Sequence, residues 1–336
     1  MVRIGILGYG FMGSTHARIL KTISEAEVVA IADPKPEARK KALRDFPTAK
    51  IYETGDELIK DNNVEAVIIA TPPNTHVDYL IMSVNEGKHV LVEKPLAPSF
   101  NHLKKLLDLE IPKNLVVMSG FSLRYHRMYI DIYEHVKKLG KTYIFHHTAL
   151  GGLPTNDWLL NPSISGGMLN ENAVHIIYLF LWYLGEPENV YARLYGKTGR
   201  DMDDNLVLVT SIKGSTASLL RSWTAGQVVR YYEILGEKGS IHVDGYLGGK
   251  ISIVINGFKK TYEYPTIVDE MYGEELLDFI TSIKEKKKPK TSLRDAILIQ
   301  LIVEAAKKSS REKKPVSVME AGGELAEALL EKYRDK

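Results

Sequence analysis

Three groups of residues have the types and spacing to do chemistry. Gly8-Tyr9-Gly10-Phe11-Met12-Gly13 follows the short apolar run Arg3–Leu7 and opens the helical pattern Ser14–Ile23. Glu93-Lys94-Pro95 closes a second stretch, which begins at Ala70-Thr71-Pro72-Pro73-Asn74-Thr75-His76 and runs through the apolar His89–Val92. Glu171 and His175 stand four residues apart at the head of the apolar run Ile176–Leu184.

A GxGxxG turn between a strand and a helix seats a dinucleotide pyrophosphate. Gly8 permits the tight turn, Gly10 lets the backbone approach the phosphates, and Gly13 lets helix and strand pack closely. Free N–H groups and the helix dipole then favour negative charge at that end. Tyr9, Phe11 and Met12 complete the turn. Asp33, at the end of the second strand, is spaced to accept hydrogen bonds from both adenosine ribose hydroxyls. A carboxylate there repels a 2′-phosphate and favours NAD, while Lys35 and Arg39 behind it soften the repulsion and keep NADP open. Lys94 ends a later buried strand and can set a fixed positive charge beside the nicotinamide end. Thr71, Pro72, Asn74, His76 and Glu93 are assigned to the same cofactor crevice. Together the turn and the lysine imply redox chemistry on a bound cofactor.

Residues four apart share one helix face, so Glu171 and His175 form a carboxylate–imidazole pair at an otherwise apolar helix start. Such a pair marks a site opening into a cleft. Arg124 and Tyr125 are secondary candidates for lining it. So is Trp158, whose ring beside Asn156 and Asp157 suits a sugar face. His146 and His147 alternate across a strand, so at most one faces any site. With no cysteine and no His/Asp/Glu set at ligand spacing, no metal is expected.

The elements that must position these groups are legible from periodicity. Apolar strands alternate with helical patterns through residue 120, which implies crossover units and a doubly wound parallel sheet, hence an α/β Rossmann domain over 1–120. The expected strands include Val28–Ala32, Val64–Ala70 and Leu115–Ser119, with helices at 36–45, Thr75–Glu86 and Ser99–Leu109. Residues 121–336 read as an α+β domain for substrate binding and oligomerisation. Thr142–Leu150 is strand-like there, and Asn205–Tyr264 is a series of alternating runs separated by turns such as Asn256-Gly257. These imply a large, mostly antiparallel open sheet. Glu270–Lys284 and Arg294–Ser309 are expected as closing helices that pack back on the first domain.

The chain has 336 residues and a formal net charge of +2. That length fits two domains, and the balance argues against nucleic acid or a membrane surface as an obligate partner. The longest apolar stretch is far shorter than the ~20 residues of a membrane span. No signal peptide is read at the start, so a cytoplasmic enzyme is expected.

At this point the chain resembles the glucose–fructose oxidoreductase, inositol dehydrogenase and rhizopine-catabolism (Gfo/Idh/MocA) family. The matching pieces are GYGFMGSTHARIL, ATPPNTH, VEKPLA, GFSLRYHRMY, SGGMLNENAVH, YYEILGEKGSI and KKPVSV, in family order over nearly the whole chain. The resemblance implies a Rossmann domain, an open-faced sheet domain and a nicotinamide cofactor in the cleft between them. It implies that Lys94 contacts the nicotinamide ribose and stabilises the substrate oxygen as an alkoxide develops. His175 would be the general base, and Glu171 would bind a substrate hydroxyl or orient His175. The family usually has Asp where Glu171 stands, Gly at Ala173 and Asp at Tyr178, departures that bear on substrate identity. The implied activity is hydride transfer between NAD(P) and a hydroxyl or carbonyl of a sugar or inositol-like polyol, in a homodimer or homotetramer. Two rivals are an NAD-dependent glycoside hydrolase working by transient oxidation, and a non-catalytic regulator that binds dinucleotide and sugar.

Overall fold

The apolar strands of the first half are buried on both faces, as parallel strands between crossover helices must be. The computed structural model describes residues 1–199 and 202–334. Its first half runs β1 (Val2–Leu7), α1 (Phe11–Leu20), β2 (Ala26–Ala32), α2 (Pro36–Asp45), β3 (Lys50–Tyr52), α3 (Gly55–Ile59), β4 (Ala66–Ile69), α4 (His76–Asn85), β5 (His89–Glu93) and β6 (Val117–Gly120). The strands form one parallel sheet in the order β3-β2-β1-β4-β5-β6. The chain leaves β1 toward β2 and later returns on its other side to β4. This reversal opens a crevice beyond the carboxyl ends of the strands, where doubly wound sheets bind ligands.

Two local departures have physical causes. β3 is too short to carry an alternation that sequence could show. The segment expected as a helix over Ser99–Leu109 is a 3-10 helix, Phe100–Asp108. Its buried residues Phe100, Leu103 and Leu106 recur every third position, which suits three residues per turn rather than 3.6.

The second half continues with α5 (Arg127–Val136), β7 (Thr142–Leu150), α6 (Pro162–Ser165), α7 (Val174–Leu184), β8 (Asn189–Tyr195), β9 (Asn205–Ile212) and β10 (Ser215–Ser222). Then come β11 (Val229–Gly236), β12 (Gly239–Gly245), β13 (Gly249–Ile255), β14 (Phe258–Tyr264), α8 (Val268–Glu285), α9 (Leu293–Glu312), β15 (Val316–Ser317) and α10 (Val318–Lys332). Nine strands form a second sheet in the order β14-β13-β12-β11-β7-β10-β9-β8-β15. The β7–β10 pair is parallel, and the other neighbours are antiparallel. The α/β-plus-α+β expectation therefore holds. Asn256 and Gly257 make the expected hairpin, both at positive φ (51° and 80°), with Ile255 paired to Phe258.

α7 covers one face of this sheet through an aromatic core, in which Phe145 meets Phe180 at 4.8 Å and Tyr232 at 5.9 Å between ring centres. The last three helices all reach the first domain, while α9 also packs on β8 of the second sheet. Arg18 of α1 forms a two-pronged ion pair with Asp269 of α8 at 2.7 and 2.9 Å. Ser292, before α9, bridges to Met118 of β6. Tyr333, after α10, donates to Leu106 O at 2.7 Å. α10 is not visible in the sequence pattern, because Gly322-Gly323 interrupts its periodicity and Gly323 leaves helical geometry (φ 54°, ψ −143°). Among the described residues, no helix is long and apolar enough to cross a membrane.

Candidate functional site

The glycine turn links β1 to α1, and its three glycines do different things. Gly8 sits at φ 84°, and a Cβ there would lie 2.7 Å from Ala70 O. A Cβ on Gly13 would lie 1.8 Å from Gly8 O, so only glycine lets α1 start this close to the strand. Gly10 has nothing within 4 Å of its would-be Cβ; its backbone borders open space. Gly10 caps α1 without a side-chain hydrogen bond, and the first turn holds no acidic residue. The N–H groups there are left to an anion. Phe11 is exposed and Met12 half-buried over the turn. The Tyr9 ring instead turns back, its hydroxyl donating to Asp45 Oδ2 at 2.9 Å.

Asp33 follows β2 and is buried. One carboxylate oxygen accepts the Tyr9 N–H at 2.7 Å and the other accepts the Lys35 N–H at 2.8 Å. Each oxygen keeps lone-pair capacity for a ribose hydroxyl. Arg39 lies behind it, donating to the backbone oxygens of Asp33 and Pro34 at 2.9 and 2.8 Å.

Beyond β4 the chain turns through Thr71 and Pro72 to Asn74, which is exposed. The Thr75 hydroxyl donates to Thr71 Oγ1 at 2.7 Å. His76 is buried, with Nδ1 at 2.8 Å from Pro95 O and Nε2 at 2.7 Å from Thr71 O. Burial lowers its pKa against those carbonyls and Glu93. The buried ring is thus wedged between the Thr71 loop and the Lys94–Pro95 turn, its single N–H in the neutral form serving one of the two carbonyls.

Lys94 leaves the end of β5 and crosses to the second sheet's domain. Its Nζ donates to Glu171 Oε1 at 2.7 Å and to Glu171 O at 3.0 Å. Burial opposes its charge, but Glu171, by proximity and by hydrogen bond, and Glu93 outweigh that and raise its pKa. Glu171 lies in a widened π-helical turn, Leu169–Ala173, which runs into α7. Such turns are often found at functional sites. Asp203 anchors it by accepting the Leu169 N–H at 2.7 Å. His175, one turn on, is partly exposed, and its Nδ1 is buried without a partner. Burial, then the charges of Lys94 and Arg221, hold its pKa well below the ordinary 6.5. The imidazole is therefore neutral, beside an ammonium that stays charged.

Behind Lys94 lies a His/Glu set that sequence spacing did not reveal. His16 of α1, Glu93 of β5 and Glu275 of α8 bring one donor atom each within 4.8 Å of one another, all buried. Their separation in the sequence hid them. His16 Nε2 meets Glu93 Oε1 at 2.8 Å. Burial would raise the Glu93 pKa, yet the His16 hydrogen bond and nearby positive charge bring it below the usual value. Burial, then the charge of Glu93, pushes the Glu275 carboxyl well above the usual carboxylate range, and neither of its oxygens has a hydrogen-bond partner among the described residues. The two carboxyls that share this pocket are thus driven apart in pKa, as close buried acids are.

Three predicted substrate residues have no hydrogen bond to Lys94, Glu171 or His175. Arg124 stacks on Trp182, its guanidinium carbon 3.9 Å from the ring centre. The Tyr125 hydroxyl donates to Asp278 Oδ2 at 2.8 Å and meets Thr291 Oγ1 at 3.3 Å, anchoring the segments around α8 and α9. Trp158 is half-buried in the turn Asp157–Leu160, and no hydrogen bond links it to Lys94, Glu171 or His175. Of the histidine pair, His147 is buried against Tyr232 (ring centres 5.5 Å apart), whereas His146 meets Ser218 Oγ at 2.8 Å.

Several residues of the site were missed from sequence. Asn170 Nδ2 donates to Ala97 O at 2.9 Å and to Ser165 O at 2.7 Å. Gln300 Nε2 donates to Asn170 Oδ1 at 2.9 Å, and Gln300 Oε1 accepts the Ala97 N–H at 3.3 Å. The segment after Lys94 is thereby bound to the turn that holds Glu171. Arg221 is buried, and its Nε donates to Asn172 Oδ1. An arginine at an inward position after Ala217 and Leu219 was the available signal.

The comparisons with known proteins agree with this geometry. The family model described as "Oxidoreductase family, NAD-binding Rossmann fold" matches residues 2–121. The companion "Oxidoreductase family, C-terminal alpha/beta domain" matches residues 133–318. A myo-inositol 2-dehydrogenase of Thermotoga maritima is 28% identical over 340 aligned positions, covering 96% of this chain and 100% of the relative. The scyllo-inositol 2-dehydrogenase (NAD(+)) of Bacillus subtilis is 26% identical, covering 94% and 96%. A solved levoglucosan dehydrogenase, in complex with NADH and L-sorbose, shares the fold at TM-score 0.85 and 23% identity, covering 95% of this chain and 99% of that one.

Proposed function

Because the chain belongs to the Gfo/Idh/MocA oxidoreductase family, we propose that it oxidises a hydroxyl of a sugar or inositol-like polyol with NAD. The observation that carries this reading is the Lys94–Glu171 bridge at 2.7 Å beside a neutral His175, with the residues coming from different domains onto one cleft. NAD would be held by the Gly8–Gly13 turn, by Asp33 and along the Thr71–Asn74 loop, and it supplies the hydride-accepting carbon. The Asp33 carboxylate favours NAD over NADP by repelling a 2′-phosphate, with the nearby Arg39 guanidinium engaged by the Asp33 and Pro34 carbonyls. His175 takes the hydroxyl proton. Lys94 stabilises the oxygen as negative charge develops on it, and Glu171 orients both the lysine and a neighbouring substrate hydroxyl. Such chemistry fits a cytoplasmic pool of dinucleotide.

The test is a panel of polyols and aldoses with NAD and NADP, followed at the nicotinamide absorbance. Steady NADH formation is expected with at least one. Lys94→Ala should then lose about 10²–10³-fold in kcat/KM while keeping cofactor affinity. No reduction with any member, or an active Lys94→Ala, would defeat the reading. Net NADH accumulation would also separate it from a transient-oxidation hydrolase and from a regulator without activity.

The outward face of the nine-stranded sheet favours self-association. Ile144, Tyr191, Tyr195, Val207, Val209, Leu220 and Leu235 are exposed and share that face by register, a row of apolar side chains that a second copy of the chain would cover. A homodimer or homotetramer through this face is part of the same proposal.

A further inference from the structure

Arg221 is a cation without an anion. It is 7% exposed, its Nε is given to Asn172, and its Nη1 is buried with no partner. Among the described residues it enters no ion pair. A buried guanidinium with an unused N–H is costly. Folds keep such groups where something else completes them.

Its neighbours say what that something is. Arg221 pairs with Ala149 of β7, and Ala149 pairs on its other side with Arg230 of β11. Two arginines therefore flank one alanine in a row across three strands. At roughly 4.8 Å between strands their Cα atoms are about 10 Å apart, and the side chain between them in that row is only the Ala149 methyl. Arg230 lies over the Tyr246 ring, 5.4 Å from its centre. Tyr246 feels the charges of Arg221, Lys94, Arg230 and Glu171 together, which joins this row to the reacting groups. Three cations, Lys94, Arg221 and the exposed Arg230, thus act around Tyr246 against one carboxylate, Glu171, whose charge reaches Arg221 as well.

We infer that the substrate is an acidic one, whose carboxylate or phosphate ester is received by Arg221 with Arg230 beside it, while a hydroxyl elsewhere on the molecule meets Lys94 and His175. Both groups present paired oxygens that match a guanidinium fork. This rests on the dehydrogenase reading above and narrows its substrate class.

The experiment compares matched probes with NAD: glucose, glucuronate and glucose 6-phosphate, and myo-inositol beside its monophosphate. The same probes are titrated calorimetrically into the NAD-loaded protein. An anionic probe should exceed its neutral partner by roughly 10- to 100-fold in kcat/KM, and which anion wins separates carboxylate from phosphate. Arg221→Gln should collapse that ratio through KM. Equal use of charged and neutral probes, or an unchanged ratio in Arg221→Gln, overturns the inference. Should no probe be oxidised, the calorimetry still decides. Anion binding by wild type and not by Arg221→Gln upholds the acidic site and sinks the redox reading, whereas no anion binding sinks the site. If Arg221→Gln does not fold, Arg230→Gln must weaken the anion preference several-fold, and an unchanged preference refutes it.

Discussion

A histidine that takes a proton must arrive at the reaction without one. Burial and the charges of Lys94 and Arg221 all act against the imidazolium of His175. Activity should therefore persist as pH falls through the ordinary imidazole range and disappear only below it. We expect the acidic limb of kcat/KM to lie under pH 6.5, the unperturbed value, and His175→Asn to abolish that limb along with most of the rate. A limb at or above 6.5 would show that His175 is not the group titrating. Lys94, whose pKa is raised, should contribute no loss until well into the alkaline range. These residues were legible in the sequence because each lies in a compact motif. The partners of Arg124 and Tyr125, Trp182 and Asp278, were not legible because they are distant in the chain. Asn170 and Gln300 were invisible for the same reason, standing 130 residues apart yet bonded to each other and to Ala97.

At the scale of elements, the junction of β1 with α1 separates folding from binding in neighbouring glycines. A methyl at position 13 collides with Gly8 O, whereas one at position 10 meets nothing. Gly13→Ala should cost about 1–3 kcal/mol, the usual range for overpacking, and lower the thermal midpoint. Gly10→Ala should melt like wild type yet bind NAD at least about tenfold more weakly, since the added methyl occupies the backbone's approach to the pyrophosphate. Fluorescence titration and thermal melting of both variants check the pair, and equal behaviour would contradict it. The parallel sheet was readable because its strands are apolar throughout. The turn at Phe100–Asp108 was not, because apolar residues every third position resemble a helix until the pitch is known. α10 was hidden by its paired glycines.

At the scale of the whole molecule, the two sheets differ in how they meet solvent. The parallel one is covered on both sides, while the mostly antiparallel one leaves a face bare. Sedimentation of the wild type should give at least a dimer. Leu220→Glu combined with Val209→Glu should give a folded monomer, because both side chains point outward and introduce like charges into a self-complementary face. A wild-type monomer would end that expectation. The grip of Asn170 and Gln300 on both polar atoms of the Ala97 peptide has a consequence of its own. It fastens the segment that follows Lys94 to the turn that carries Glu171, so a shift of either lobe at this edge drags the other along.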